Sequence, residues 1–384
     1  LPATFTMSIV STIDTPMFIF GTFALLFYAK GFFEKNYFFY VGGLFLGIAA
    51  LSKVSAIWLG IGMLFYIIIS VRRLEYLKNF HLWISFIFSA LIYSPFLIWN
   101  YSHDFPFFVT ATNLLSRKSS VESFIMFWIS QILLLFPTIF ILCFHALKIK
   151  RENYRSENRT EYTTFFSVLG IVALMYIFYQ SLNSNLEANW GGFAYISLLL
   201  LVPIHITSIW KKFRMSYVFP GSLILSTMLM FTVLGHTLFG FWEIKKNDIT
   251  NRYYAFSSFP GEIKEFYNSQ LDPDIRTISY NNYQIPSMLE YHLKPLKPSL
   301  SINGPDYHPV IFEYWYHDIE LTGQDLYILQ KNSNELQRIS KDCEDYSLLK
   351  KFSTMRENSI ISEFYLYSCK QFSGKIRKLP TLLF

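Results

Sequence analysis

Residues Ser94–Arg117 read SPFLIWNYSHDFPFFVTATNLLSR, a polar loop between two strongly apolar stretches. The first apolar run ends at Trp99 and Asn100, His103 lies in the loop, and Arg117 precedes the next apolar run. Charged groups at membrane depth are costly, so they usually pair or serve a function. The stretch therefore predicts a site at one end of a bundle of membrane helices.

The flanking sequence is too apolar for a soluble domain. The chain of 384 residues is 52% hydrophobic and only 16% charged, against about 25% charged in soluble domains. A membrane span needs about 20 apolar residues. Eight segments approach this length, and they are 15–29, 37–52, 55–71, 82–99, 123–145, 163–181, 191–209 and 217–241. The prediction is a polytopic α-helical membrane protein with about eight spans.

The distribution of charge orients these spans. With the turn at Lys30–Asn36 placed inside and the spans alternating, thirteen Lys and Arg residues fall in inner segments. Only Lys53, Arg117 and Lys118 fall in outer loops. Cytoplasmic loops accumulate basic residues, so the bias indicates orientation and argues against nucleic-acid binding. It predicts a protein integral to the cytoplasmic (inner) membrane. The loop at Ser94–Arg117 and the polar tail from Trp242 are then on the side away from the cytoplasm.

The sequence predicts two domains, a membrane bundle at 1–241 and an extracytoplasmic domain at 242–384. The tail contains runs rich in β-branched and aromatic residues, which are IRTISYNNY, PSLSIN, DLYILQ and SEFYLYSC. Helical stretches fall between them at Gly261–Ser269, Ile285–His292 and Asn334–Ile339. Alternating strands and helices predict a small α/β domain. Cys343 and Cys369 can pair there if the tail lies in an oxidising compartment.

Three residues at outer helix ends carry charge that invites two interpretations. Asp14 precedes Thr15-Pro16, a pattern typical of a helix N-cap, or else it is an acid in a site. Lys53 either snorkels to the interface or binds a phosphate as a point charge. Arg117 is either an interfacial anchor or a bidentate phosphate ligand.

The remaining candidates are uncharged or lie in loops. Glu187, Asn189 and Trp190 form either a solvated loop or a carboxylate, amide and indole that contact a sugar. Asn100 and His103 are candidates for the same sugar or acceptor site. His103 and its neighbour Asp104 are too few for a closed metal site, which needs about four ligands.

Several of these residues lie in a series of short motifs. TIDTPMFIF contains Asp14 and Pro16 at the start of a span, and GLFLGIAALSK ends at Lys53. SPFLIWN, ending at Asn100, and NWGGFAY, from Asn189, continue the series. In order and spacing they resemble the bacterial dolichyl-phosphate-mannose-protein mannosyltransferase family. These are family 39-like glycosyltransferases of the GT-C class. The resemblance extends over most of residues 8–330, including the tail segment SYNNYQIPSMLEYHL.

The resemblance implies transfer of a sugar from a polyprenyl-phosphate donor to a protein, lipid or glycan acceptor at the outer membrane face. It implies that Lys53 and Arg117 bind the donor phosphate and that Asp14 is a supporting acid. It implies no certain cofactor, and a divalent metal is left open. The family's catalytic Asp lies in an earlier outer loop, so we expect this chain to lack its N-terminal spans and to be inactive alone. A flippase for a lipid-linked sugar and a truncated, non-catalytic membrane relative are the alternatives.

Overall fold

The computed structural model describes residues 12–116, 118–147, 157–213, 215–240, 251, 256, 259–302, 311–316, 319–331, 340–356 and 359–374. Two compact units make up the chain, Leu1–Phe231 and Thr232–Phe384. The first unit is helical. The second contains a five-stranded sheet with helices.

The helices up to residue 239 are numbered in chain order. They are α1 (Asp14–Phe33), α2 (Phe38–Ser52), α3 (Ile57–Ile69), α4 (Arg73–Lys78), α5 (Phe80–Ser102), α6 (Pro106–Leu115), α7 (Val121–Leu135), α8 (Pro137–Leu147), α9 (Glu157–Asn183), α10 (Gly192–Phe213) and α11 (Met215–Phe239). Short 3₁₀ turns precede α3 at Val54–Ala56 and α10 at Ala188–Gly191.

Four described helices are long and apolar enough to cross a membrane. They are α1, α5, Thr160–Asn183 of α9 and Pro220–Phe239 of α11. The pair α7 and α8 raises the number to five if it forms one bent span. The predicted number of eight is not confirmed, because three of the predicted segments form shorter apolar helices. Helix α2, for example, has 15 residues and a length of about 22 Å, against about 30 Å of hydrocarbon.

The continuous span predicted at 123–145 is wrong in one respect. The helix breaks between α7 and α8, whose axes differ by 97°. Phe136 at the break has a φ of 66°, a conformation that is strained for a bulky side chain. Pro137 follows, and a proline at the first position of α8 starts a new helix without losing a hydrogen bond.

Close backbone approach holds the first helices together. Glycines line the surface of α2, and a Cβ at Gly42 would lie 2.7 Å from the Tyr28 ring on α1. A Cβ at Gly47 would lie 2.9 Å from the Ser89 carbonyl oxygen on α5. Small residues spaced along a membrane helix allow this approach. The packed α1–α2–α5 layer fixes where α1 begins and α2 ends.

The second unit is an α/β domain, as predicted. Its strands are β1 (Arg276–Tyr280), β2 (Leu300–Ile302), β3 (Leu326–Lys331), β4 (Asp345–Arg356) and β5 (Ser359–Lys370). Its helices are α12 (Phe259–Gln270), α13 (Gln284–His292) and α14 (Ile311–Trp315). The predicted helix at Asn334–Ile339 lies outside the described residues.

The sheet has the order β2-β1-β3-β5-β4. Strand β1 pairs in parallel with β2 and β3, while β5 is antiparallel to β3 and β4. The parallel strands are buried along nearly their whole length, as expected where both faces are covered. A disulfide joins Cys343, before β4, to Cys369 in β5.

Candidate functional site

Three of the residues selected from the sequence meet at Asp14. The Lys53 ammonium nitrogen lies 2.5 Å from Asp14 Oδ1. The Asn189 side-chain amide donates a hydrogen bond of 3.0 Å to Asp14 Oδ2. The Asp14 side chain is 2% exposed and that of Lys53 is 15% exposed. Both carboxylate oxygens of Asp14 are therefore engaged, while part of the Lys53 side chain remains accessible.

The helix-cap interpretation of Asp14 is wrong. Ile13 occupies the N-cap position of α1, and no side-chain cap bond is formed there. Asp14 is instead the first residue of the helix, where its carboxylate lies near the positive end of the helix dipole. Its oxygens are directed to Lys53 and Asn189, which come from distant parts of the chain.

A break in the helix presents Lys53. Helix α2 ends at Ser52, and Lys53 has an extended backbone with φ −152° and ψ 124°. The 3₁₀ turn Val54–Ala56 follows directly. Snorkelling is therefore not the arrangement seen, because the ammonium group turns to a buried carboxylate. Buried charges of this kind persist only when they are paired.

The loop that carries Asn189 is held by a residue that the sequence analysis did not select. Gln131 on α7 is buried, and its side-chain amide donates to the Ala188 carbonyl oxygen at 2.9 Å. Gly191 makes room for it, since a Cβ there would lie 2.5 Å from Gln131 Oε1. The only signal in the sequence is one amide within the apolar run IMFWISQILLLF.

Glu187 and Trp190 belong to the same loop. Glu187 is exposed, and its carbonyl oxygen accepts a hydrogen bond of 3.0 Å from the Trp190 backbone N–H. The Trp190 side chain is half-buried and packs against the main core of the helical unit. Contact of either side chain with a sugar stays a prediction.

Asn100 and His103 close the turn after α5. The buried Asn100 side chain donates to the Phe96 carbonyl oxygen at 2.9 Å and accepts from the Phe107 N–H at 3.1 Å. His103 stacks on Trp99 with ring centroids 4.2 Å apart, and its Nδ1 lies 2.7 Å from the Trp99 carbonyl oxygen. These contacts explain the turn structurally, and a contact of Asn100 or His103 with a sugar or acceptor stays a prediction.

Arg117 lies outside the described residues. Its described neighbours pair with the end of α9. The backbone of Lys118 forms an antiparallel β-bridge with Ser184, and the Ser119 hydroxyl donates to the Ser181 carbonyl oxygen at 2.8 Å. The chain then continues from Ser184 into the loop that carries Asn189.

No group of three or more His, Cys, Asp or Glu side chains is placed to hold a metal ion within the described ranges. The described residues of the site supply one paired carboxylate, one lysine whose side chain is partly exposed and one amide. We call Asp14, Lys53 and Asn189 the Asp14 cluster.

Comparison with known proteins gives a match to the first part of the chain. Residues 1–99 match the family model described as dolichyl-phosphate-mannose-protein mannosyltransferase. No curated protein and no solved structure matches the chain. The apolar helices and this match support a membrane glycosyltransferase, mannosyltransferase-like in type. The matched residues include Asp14 and Lys53, and they form a smaller part of the chain than the resemblance seen in the sequence.

Proposed function

We propose that the protein transfers a sugar from a polyprenyl-phosphate donor to a protein, lipid or glycan acceptor, with Lys53 binding the donor phosphate. The observation that carries this proposal is the Asp14 cluster. A buried carboxylate holds the ammonium group of a lysine whose side chain is 15% exposed. Arg117 is proposed as a second phosphate ligand from the sequence alone.

The chemistry follows from charge. As the bond between the sugar C1 and the phosphate oxygen breaks, the sugar gains oxocarbenium character and the phosphate gains negative charge. A cation held in a poorly solvated site stabilises that charge. Lys53 keeps this orientation because Asp14 fixes its ammonium group before the donor arrives.

Asp14 acts in this scheme as a positioning residue. Its two oxygens accept from Lys53 and Asn189, so neither is directed at an acceptor hydroxyl. The acceptor proton must pass to another base, and we assign none among the described residues.

The proposed location is the outer face of the inner membrane. The excess of basic residues in the opposite loops supports this orientation. The disulfide between Cys343 and Cys369 also supports it, because such bonds persist in oxidising compartments.

The test is a transfer assay with the full-length gene product in its native membrane, because no base for the acceptor proton is assigned among the described residues. A polyprenyl phosphate carrying a radiolabelled mannose is the donor, and the label is followed into an acceptor fraction. We expect label on a new acceptor and consumption of the donor. Movement of intact donor across the membrane without consumption would support the flippase alternative and contradict transfer.

A variant separates positioning from binding. Asp14→Asn keeps the size of the side chain but removes the charge that holds Lys53. We expect kcat for transfer to fall, by a factor at least as large as any rise in the KM for donor. The reason is that Lys53 stays present but is less well oriented. A rise in the KM for donor with an unchanged kcat would contradict a positioning role.

A further inference from the structure

The β4–β5 hairpin ends in two cross-strand pairs, Met355 with Ile360 and Arg356 with Ser359. Neighbouring residues of a strand point to opposite faces. Arg356 is 9% exposed, whereas Met355 and Ile360 on the other face are 47% and 51% exposed. The hairpin end thus has one buried polar face and one exposed apolar face.

Arg356 joins the hairpin end to the last turn of α11. Its Nη2 donates a hydrogen bond to the His236 carbonyl oxygen, and its Nη1 donates to Asn251 Oδ1 at 3.0 Å. All three residues belong to the unit Thr232–Phe384. The His236 carbonyl oxygen also accepts a hydrogen bond of 2.8 Å from the Gly240 N–H. The guanidinium group adds a second bond at this carboxyl end of the helix and complements the helix dipole.

This contact fixes the depth of the hairpin end relative to α11. His236 precedes the final helical residue, Phe239, by three positions, which is a rise of about 5 Å. The segment Pro220–Phe239 is a candidate membrane span. Around the same turn, Val233, Leu238 and Phe239 are 51%, 60% and 79% exposed. The hairpin end therefore lies beside a helical turn whose own apolar side chains face outward.

We propose that the hairpin end is a membrane anchor, with Met355 and Ile360 inserted in the lipid interface beside the last turn of α11. The occupant is lipid because the residue that holds the hairpin end contacts a candidate span within its apolar segment. The bilayer that covers Leu238 and Phe239 is then at the right depth to cover Met355 and Ile360. The anchor is independent of the proposed transfer reaction.

The test uses a fluorescent label on single cysteines. In a Cys143→Ala background with the disulfide intact, Met355→Cys, Ile360→Cys and Leu348→Cys are labelled with an environment-sensitive dye. The full chain is reconstituted in phosphatidylcholine vesicles with or without doxyl-labelled acyl chains. Leu348 is the control, since it is 51% exposed on β4 and lies roughly 25 Å along the strand from Arg356.

We expect several-fold stronger quenching by the doxyl lipid at 355 and 360 than at 348. Water-exposed, unquenched dye at all three positions would overturn the proposal. Equal quenching at all three would overturn it as well, because the hairpin would then lie flat on the surface. Dye at 360 that is shielded from water but unquenched would show a protein partner in place of lipid.

Discussion

The Gln131 side-chain amide on α7 donates a hydrogen bond of 2.9 Å to the Ala188 carbonyl oxygen, one residue before Asn189 contacts Asp14. Helix α7, which carries no member of the Asp14 cluster, thus holds the loop that completes it. Amides in membrane helices bond to neighbouring segments because no water is available to them. The position of Asn189 therefore depends on a side chain outside the cluster.

Replacing this amide should disorder the cluster. Gln131→Leu leaves the Ala188 carbonyl group without its partner, which costs about 1–3 kcal/mol. We expect a lower thermal unfolding midpoint in detergent and a fall in sugar transfer. Ser94→Ala is the control, because the Ser94 hydroxyl donates to the Leu91 carbonyl oxygen within α5 and makes no bond to Gln131. Full transfer activity in Gln131→Leu would show that the loop is positioned by other contacts.

Gly191 gives a second test of the same packing. In Gly191→Ala the new methyl group would lie 2.5 Å from Gln131 Oε1 and 3.3 Å from the Phe127 ring. We expect destabilisation by about 1–3 kcal/mol, as for overpacked sites. Gly221→Ala in α11 has no heavy atom within 4 Å, so it should unfold at the same temperature or higher. Equal midpoints for both variants would contradict the close fit of Gly191 on Gln131.

The cysteines should differ in reactivity. Three cysteines are present; Cys343 and Cys369 form a disulfide, and Cys143 is a buried free thiol. Protein purified from membranes should bind one maleimide per chain when denatured without reductant and three after reduction, as counted by mass. Labelling of all three without reduction would contradict the disulfide and weaken the proposed outer location.

One ion pair on the hairpin gives a pH dependence. Lys351 lies 2.6 Å from Glu363, and this contact, followed by the Tyr365 hydroxyl, lowers the pKa of Glu363 from its ordinary value of 4.5. The stabilisation is present above pH 4.5 and is lost as the pH falls through the lowered pKa. The effect is small because exposed pairs contribute little. In Glu363→Gln the thermal unfolding midpoint should depend less steeply on pH between pH 5 and pH 3 than in the wild type. An unchanged dependence on pH would contradict this assignment.

The sequence predicted the charged members of the cluster better than the residues that support them. Asp14, Lys53 and Asn189 were selected because polar groups at helix ends stand out against an apolar background. Gln131 did not stand out, since a single amide gives no periodic pattern and its partner lies far along the chain. Tertiary contacts of this kind cannot be read from local composition.

The α/β unit shows the same limit. Strands β1, β2, β3 and β5 were predicted from their β-branched and aromatic residues. Strand β4 was missed because DYSLLKKFSTMR is an edge strand with many exposed and charged positions. An edge strand satisfies its backbone on one side only and tolerates such residues.

In the helical unit, the proline at 137 was the available signal for the break between α7 and α8.

Binding of a short-chain polyprenyl phosphate tests the central claim, that Lys53 binds the donor phosphate. Farnesyl phosphate is titrated against the wild type, Lys53→Met and the charge-neutral double variant Asp14→Asn/Lys53→Met. The double variant removes the cation without leaving Asp14 as an unpaired buried charge, which would destabilise the fold. Lys30→Met changes the net charge as Lys53→Met does but alters an exposed lysine at the opposite end of α1.

We predict that both variants lacking Lys53 bind farnesyl phosphate about tenfold more weakly than the wild type, as expected for loss of about 1.4 kcal/mol of interaction. Lys30→Met should bind as the wild type does. Wild-type affinity in a folded double variant would contradict the account.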